Sequence, residues 1–263
     1  MERMPVPEPA DRPAGILAEP NPDRVLHATL DGAVYARLPV RTHLVTDADD
    51  ALDVVRRYAL PLPAETALVA VSERMVAITE GRSYPMTSIR PGRLARFLVR
   101  FVTRPGYGIG LGTAETMQLA IDEVGAPRIL LAAAVSGLTK PFGVHGLFYR
   151  IAGRQAAAID GPTSYTIPPY NQAATLGPRD PARAARAISE AIGAPVAVID
   201  ANDAGCNVLG LSVALERRFV ERLFADNPLG QAGEQTPVCV VRRIEWPSGE
   251  PLPAEPRRRL TPP

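Results

Sequence analysis

Apolar residues recur at strand or helix spacing through residues 25 to 246, and they predict a mixture of both elements. Runs of strand length lie at 38–45, 66–71, 196–199 and 237–243, and the second is expected to lead into a turn followed by more strand. Helical spacing is found at 49–58, 91–103, 113–124 and 216–224. The run 128–135 fits a helix or a strand, and 147–151 with 155–159 predicts a hairpin around Gly153 and Arg154.

The helix predicted at 180–192 has the most complete end signals. Asp180 is a good N-cap, Pro181 fits the first helical position, and Gly193 ends the helix. A strand follows at once, and elsewhere strands and helices mix without a regular alternation. This order favours an α+β (mixed α/β) fold with flanking helices. We expect one folded domain at 25–246 between flexible proline-rich tails at 1–24 and 247–263.

Composition excludes several classes of function. The net charge of +1 lacks the basic excess that nucleic-acid binding needs. No apolar run approaches the roughly 20 residues of a membrane span, and the N-terminus has acids and prolines in place of a signal sequence. We therefore expect a cytoplasmic protein without nucleic-acid or membrane partners. Cys206 and Cys239 lie among apolar neighbours and are predicted to be buried free thiols.

Two segments could bind an anion. Lys140 is the only lysine among 29 basic residues, and Pro141 should hold it in an extended or turn conformation. Gly108, Gly110 and Gly112 alternate with apolar residues and lead into a predicted helix start. Such a loop lets backbone amides approach a phosphate, which the helix dipole then favours. The alternatives are an exposed loop lysine and a flexible glycine loop.

A polar loop follows the apolar run that ends at Asp160. It holds Tyr165, Thr166, Tyr170 and Asn171, and its three prolines stiffen it. A rigid loop with hydroxyl and amide groups would suit a polar substrate. A well-ordered structural loop is the alternative.

The segment VIDANDAGCNVLG (198–210) places Asp200, Asn202 and Asp203 at the end of a predicted strand. These residues are either turn residues or ligands of a cation or phosphate. A calcium loop is excluded, because Ala204 and Leu211 stand where it needs ligands.

Carboxylates at the ends of two separate strands are candidates for a divalent cation. Asp160 could converge with Asp200 or Asp203 on one Mg²⁺ or Mn²⁺, ions that proteins hold by one or two carboxylates plus water and phosphate. Gln231 lies in a polar, glycine-rich loop that either closes over a site or turns the chain.

Six segments in this order resemble the coenzyme F420-0:γ-glutamyl ligase family, in a divergent branch. They are PVRTHLVTDADD (39–50), LVAVSERMVAITEGR (68–82), AIDG (158–161), LGPRDPARAARAI (176–188), VAVIDANDAG (196–205) and LGQAGEQTPVCVVR (229–242). No single segment is diagnostic, and the specificity lies in their order and spacing.

The resemblance implies a homodimeric enzyme that uses GTP, Mg²⁺ or Mn²⁺, and K⁺. The γ-phosphate of GTP would activate the acceptor carboxylate, and the amine of L-glutamate would attack the acyl phosphate. By position, the implied metal ligands are Asp160, Asp200, Asn202, Asp203 and Gln231. Nucleotide contacts are implied for Ser72 and Arg74. The glycine loop and Lys140 are predicted to contact phosphate. The predicted catalytic residues are Asp160 and Lys140.

The sequence also departs from the family pattern. Arg74 replaces a lysine, Ala77 and Ile78 replace a Ser-Lys pair, and Asn202 replaces a carboxylate. Lys140 is our candidate for the lost phosphate contact. Two alternatives stay open: a non-catalytic protein that binds an anion or nucleotide, and a ligase whose acid is unrelated to F420.

Overall fold

The structure is a computed structural model, and it describes residues 15–102, 110–143 and 146–258. These residues divide into two compact units. The sheet unit comprises residues 15–81 and 178–258, and the helical unit comprises the described residues between 82 and 177. The helical unit is therefore an insertion in the sequence of the sheet unit, and the predicted folded region 25–246 spans both.

In the described residues of the sheet unit, seven strands form one mixed sheet. They are β1 (Gly15–Ile16), β2 (His27–Leu30), β3 (Ala33–Arg41), β4 (Thr66–Ser72), β7 (Val196–Asn202), β8 (Gly205–Leu211) and β9 (Val238–Ile244). Their order is β1-β3-β9-β4-β7-β8, with β2 also paired to β3. Strands β4 and β7 run parallel, and the other pairs are antiparallel.

Helices cover both faces of this sheet. They are α1 (Ala51–Ala59), α2 (Glu73–Thr79), α8 (Pro181–Ile192) and α9 (Arg217–Leu223). Leu68 and Ala70 of β4 pack in a cluster with Val220 and Phe224 at α9. The alternate residues of β4 point to the opposite face. They are buried as well, so neither face of the strand meets solvent.

The helical unit contains α3 (Arg93–Leu98), α4 (Ala114–Val124), α5 (Ala126–Thr139), α6 (Leu147–Ala152) and α7 (Arg154–Ala157). A short sheet pairs β5 (Ser83–Pro85) with β6 (Ala173–Thr175). Buried Arg82 joins the two ends of the insertion, because its Nε donates to the carbonyl of Gly177 at 2.6 Å. Its guanidinium also pairs with Glu123 at 2.7 Å.

The predicted mixed α+β class is confirmed, and so are most of the predicted helices. Asp180 caps α8 by accepting from the amide of Arg183, and Gly193 follows it in the left-handed conformation. The run 128–135 is helical, within α5. Among the described residues, every helix is too short or too polar to cross a membrane.

Three secondary-structure predictions were wrong. Residues after β4 form the helix α2, and the expected hairpin at 147–159 is the helix pair α6 and α7. Lys140 has helical backbone angles (φ −57°, ψ −41°) and opens a short 3-10 helix at Lys140–Phe142. Proline disfavours the helical conformation of the preceding residue but does not forbid it. At the start of a helix, moreover, the missing N–H of proline has no partner to lose.

Parts of both predicted tails pack on the sheet unit. Buried Asn21 donates to the carbonyls of Pro228 and Leu229, each at 3.0 Å. In the C-terminal segment, the amide of Thr29 donates to the carbonyl of Ala254, and Pro256 is buried. Composition therefore did not show where the packed chain begins and ends.

Candidate functional site

The segment 198–210 forms a β-hairpin. Strand β7 ends at Asn202, the turn is Asp203 and Ala204, and β8 begins at Gly205. The side-chain oxygen of Asn202 accepts from the amide of Ala204 at 2.9 Å, which is a turn-stabilising bond. The side-chain amide of Asn202 donates to Asp200 at 3.3 Å. Asn202 therefore shapes the turn and holds the carboxylate of Asp200.

Asp203 has a different environment from Asp200. Its carboxylate pairs with Arg24 at 2.6 Å, and the two side chains are 7% and 8% exposed. Its amide donates to the side-chain oxygen of Gln231 at 2.9 Å. The Asp203 oxygen bonded to Arg24 and the Gln231 oxygen thus already accept bonds within the protein. These bonds fix the hairpin to the loop before β9.

The parallel strands β4 and β7 end at the same edge of the sheet. Ser72 lies opposite Ile199, so Asp200 follows directly at this edge. Ser72 also precedes α2, whose first turn contains Arg74, and its side chain makes no capping hydrogen bond there. Ligands of α/β proteins commonly bind at the carboxyl ends of parallel strands.

Within the sheet unit, strand register and hydrogen bonds thus connect predicted site residues from three separate parts of the chain. These residues are Ser72, Arg74, Asp200, Asn202, Asp203 and Gln231. We call this group the hairpin site. Ala77 and Ile78, where the resembled family has a Ser-Lys pair, are buried in α2 and contribute to the core.

The donor set of the hairpin site limits how it could hold a cation. In the described residues, no group of three or more His, Cys, Asp or Glu side chains is arranged to bind a metal ion. Asp200 contributes a carboxylate that accepts from the side-chain amide of Asn202, whereas the side-chain oxygen of Asn202 bonds the turn and Asp203 pairs with Arg24. A single carboxylate fits Mg²⁺ or Mn²⁺ only if water and substrate phosphate supply the other ligands.

Asp160 belongs to the helical unit, whereas Asp200 belongs to the sheet unit. The backbone of Asp160 forms two hydrogen bonds with Thr175, at 2.9 and 2.8 Å, and this bridge extends the β5–β6 sheet. The residue is exposed. Its predicted role as a metal ligand stays a prediction.

The predicted substrate loop also lies in the helical unit. Thr166 and Tyr170 are buried, and the hydroxyl of Thr166 bonds that of Thr163 at 2.6 Å. Tyr165 and Asn171 are half-buried, and the side-chain oxygen of Asn171 has no hydrogen-bond partner among the described residues. The loop is packed in part, and its predicted contact with substrate stays a prediction.

The predicted anion loop is described only in part. Gly108 lies outside the described residues. Gly110 has φ +48°, and Gly112 directly precedes Thr113. Thr113 caps α4 by accepting from the amide of Thr116, so the helix satisfies one of its own N-terminal donors. Lys140, in the same unit, is exposed.

Both cysteines are buried free thiols, as predicted. Burial raises the pKa of Cys239 to about 12 and that of Cys206 further. Neither thiol is therefore a nucleophile at neutral pH, since nucleophilic attack requires the thiolate.

Sequence reasoning missed Arg24 and the buried pair of Arg37 with Asp226. Arg24 lies 179 positions from Asp203, and Arg37 lies 189 positions from Asp226. No local pattern connects residues that far apart. Only the composition, in which almost every basic residue is arginine, could have drawn attention to buried guanidinium groups.

A comparison of the sequence with protein-family models and with curated proteins gave no match.

Proposed function

We propose that the protein is a metal- and nucleotide-dependent ligase of the γ-glutamyl ligase type. It joins L-glutamate to a carboxylate acceptor, coenzyme F420-0 or a related acid, and GTP is the co-substrate. A carboxylate is a poor electrophile, so amide formation requires prior conversion to an acyl phosphate. The amine of glutamate then displaces phosphate, and the net products are the amide, GDP and phosphate.

One observation carries this proposal: the formation of the hairpin site within the sheet unit. The resemblance implies nucleotide contacts for Ser72 and Arg74 and metal contacts for Asp200 and Gln231. The parallel β4–β7 register places Ser72 close to Asp200, and the hydrogen bond from the amide of Asp203 places Gln231 at the hairpin. The hairpin site also lies at the carboxyl ends of two parallel strands, where ligands of α/β proteins commonly bind.

We assign different tasks to the residues of this site. Asp200 holds the divalent cation, which when bound would neutralise the triphosphate and the charge that develops in phosphoryl transfer. The side-chain amide of Asn202 orients the carboxylate of Asp200, and Arg74 contacts phosphate oxygens. Arg24 and Gln231 keep the turn in place through Asp203.

The residues of the helical unit keep the roles predicted from the sequence. Asp160 is proposed as a further metal ligand, as the resemblance implies. Lys140 with Gly110 and Gly112 is proposed to contact phosphate, and the loop with Tyr165 to Asn171 is proposed to bind substrate. These last two assignments rest on residue type and spacing.

Assembly as a homodimer belongs to the same proposal. Helix α5 in the helical unit supports it, since Leu131 and Leu138 are 57% and 73% exposed. No charged residue occurs between Ile129 and Thr139 of this helix. An apolar, uncharged surface of this kind is typical of contact faces.

A rival function is nucleotide or anion binding without catalysis. Two observations favour it: Ala77 and Ile78 serve the core, and Asp203 is already paired with Arg24. The ligase proposal therefore depends on Asp200 more than on any other carboxylate.

The proposal is tested by thermal unfolding with GTP, ATP or GDP, each with and without Mn²⁺. GTP with Mn²⁺ at 100 times its Kd should stabilise the protein by about 2.7 kcal/mol. Asp200→Asn should lose the Mn²⁺-dependent part of this shift, because it removes the negative charge that holds the cation. Asp53→Asn on α1, whose side chain is 74% exposed, should keep it. If none of the nucleotides at millimolar concentration changes the unfolding temperature, the proposal is contradicted.

A further inference from the structure

A cavity of about 520 Å³ lies in the sheet unit and shares no residue with the hairpin site. Its lining includes His27, Arg37, Asp226 and Trp246, together with the segment 251–257. The volume is in the range of pockets that bind small molecules. Most of its other lining groups are apolar, and we call it the tryptophan cavity.

A buried ion pair lines the tryptophan cavity. Arg37 is 1% exposed, and its two terminal nitrogens bond the two carboxylate oxygens of Asp226. The same nitrogens donate to the carbonyls of Leu223 and Val25, both at 2.9 Å. The charges of Arg37 and Asp226 cancel, so this part of the lining is polar but neutral.

Two aromatic rings form a second part of the lining. His27 and Trp246 pack edge to face with ring centres 5.2 Å apart. Burial and the neighbouring positive charge of Arg37 lower the pKa of His27, so the imidazole is neutral at pH 7. The indole nitrogen of Trp246 donates to the carbonyl of Pro251, which joins the ring to the C-terminal segment. This wall is therefore uncharged and suited to contact another ring.

The C-terminal segment places one arginine without an ion-pair partner among the described residues at the cavity. Glu255 pairs with Arg222 at 2.8 Å, and Arg222 also pairs with Asp31 at 2.9 Å. Arg257 also lines the cavity and is exposed, and it forms no ion pair within the described residues. An anion that enters the cavity would meet Arg257 without having to break an existing ion pair.

We propose that the tryptophan cavity binds a planar aromatic monoanion, such as an aromatic carboxylate. The ring lies against Trp246, His27 and the prolines of the C-terminal segment, and the anionic group pairs with Arg257. The neutral Arg37–Asp226 pair contributes shape and polarity without repelling the anion. This inference does not depend on the ligase proposal, because the two sites share no residue.

Trp246 is the only tryptophan of the chain, so its indole N–H gives a single side-chain signal in a ¹H–¹⁵N spectrum. Titration with 1-naphthoate should shift this signal in a saturable way. The uncharged 1-naphthamide, which has the same ring system, should bind at least about 5-fold more weakly, since it lacks the charge-assisted bond.

Two arginine variants test the charge assignment. Arg257→Gln should weaken 1-naphthoate binding by about 5-fold and leave 1-naphthamide binding unchanged. Arg243→Gln, at an exposed arginine outside the cavity, should bind both probes like the parent protein. The proposal is overturned by an indole signal that does not move, by equal affinity for the two probes, or by equal affinity of the two variants for 1-naphthoate.

Discussion

Asp226→Ala is expected to lower the free energy of unfolding of the sheet unit by about 3–5 kcal/mol. The side chain of Arg37 is 1% exposed and that of Asp226 is 12% exposed. Without the carboxylate, the guanidinium keeps only the carbonyls of Leu223 and Val25 as acceptors and stays buried with an uncompensated charge. Removal of one partner of a buried ion pair lowers the free energy of unfolding by far more than the intact pair contributes to it.

Urea denaturation measures this effect, and two further variants define its cause. Asp53→Ala removes an exposed partner of Arg56 on α1, and its denaturation midpoint should equal that of the parent. The double variant Arg37→Met with Asp226→Leu should recover a large part of the lost stability, because it removes both charges of the pair. A double variant as unstable as Asp226→Ala would show that shape, and not charge, determines the loss.

Gly210→Ala is expected to destabilise the sheet unit by about 1–3 kcal/mol, or more if the helix cannot move. Gly210 lies in β8, where the start of α8 approaches the strand closely. A β-carbon at this position would come within 2.3 Å of the backbone carbon and oxygen of Pro181, and within 2.5 Å of the amide of Ala182. Backbone atoms cannot rotate away as a side chain can, so the first turn of α8 would have to shift.

Thermal unfolding of Gly210→Ala, with Gly233→Ala as the matched control, tests this close approach. Gly233 has no atom within 4 Å of the added carbon, and its φ lies outside the left-handed region. Its variant should therefore unfold at a temperature close to that of the parent. Equal unfolding temperatures for the two variants would mean that α8 does not pack on β8 as closely as described.

Local chemistry made parts of the fold predictable. The capping signals at Asp180, Pro181 and Gly193 depend on a few neighbouring residues, and α8 begins and ends where they indicate. The apolar run after β4 has no such signal, because Met75 to Ile78 are all buried and show no periodicity. Short buried runs of this kind fit a helix or a strand equally well.

The candidate site was predictable to a smaller extent. The turn chemistry of Asn202 and Asp203 could be read from the sequence, and the hairpin bears it out. The bond between Gln231 and Asp203 joins residues 28 positions apart, and only the order of the family segments indicated their proximity. The pairing of Asp203 with Arg24 could not be predicted, because Arg24 lies in a segment whose composition is typical of a flexible tail.

The central claim is that this protein forms a glutamyl amide at the expense of GTP. The most direct measurement incubates the full chain with coenzyme F420-0, L-glutamate, GTP and Mn²⁺, and follows the products by mass spectrometry. We predict a product heavier by one glutamyl residue, with one GDP and one phosphate formed per bond. Asp200→Asn should form it at least about 100-fold more slowly. A folded parent protein that forms no glutamyl product under these conditions would contradict the account.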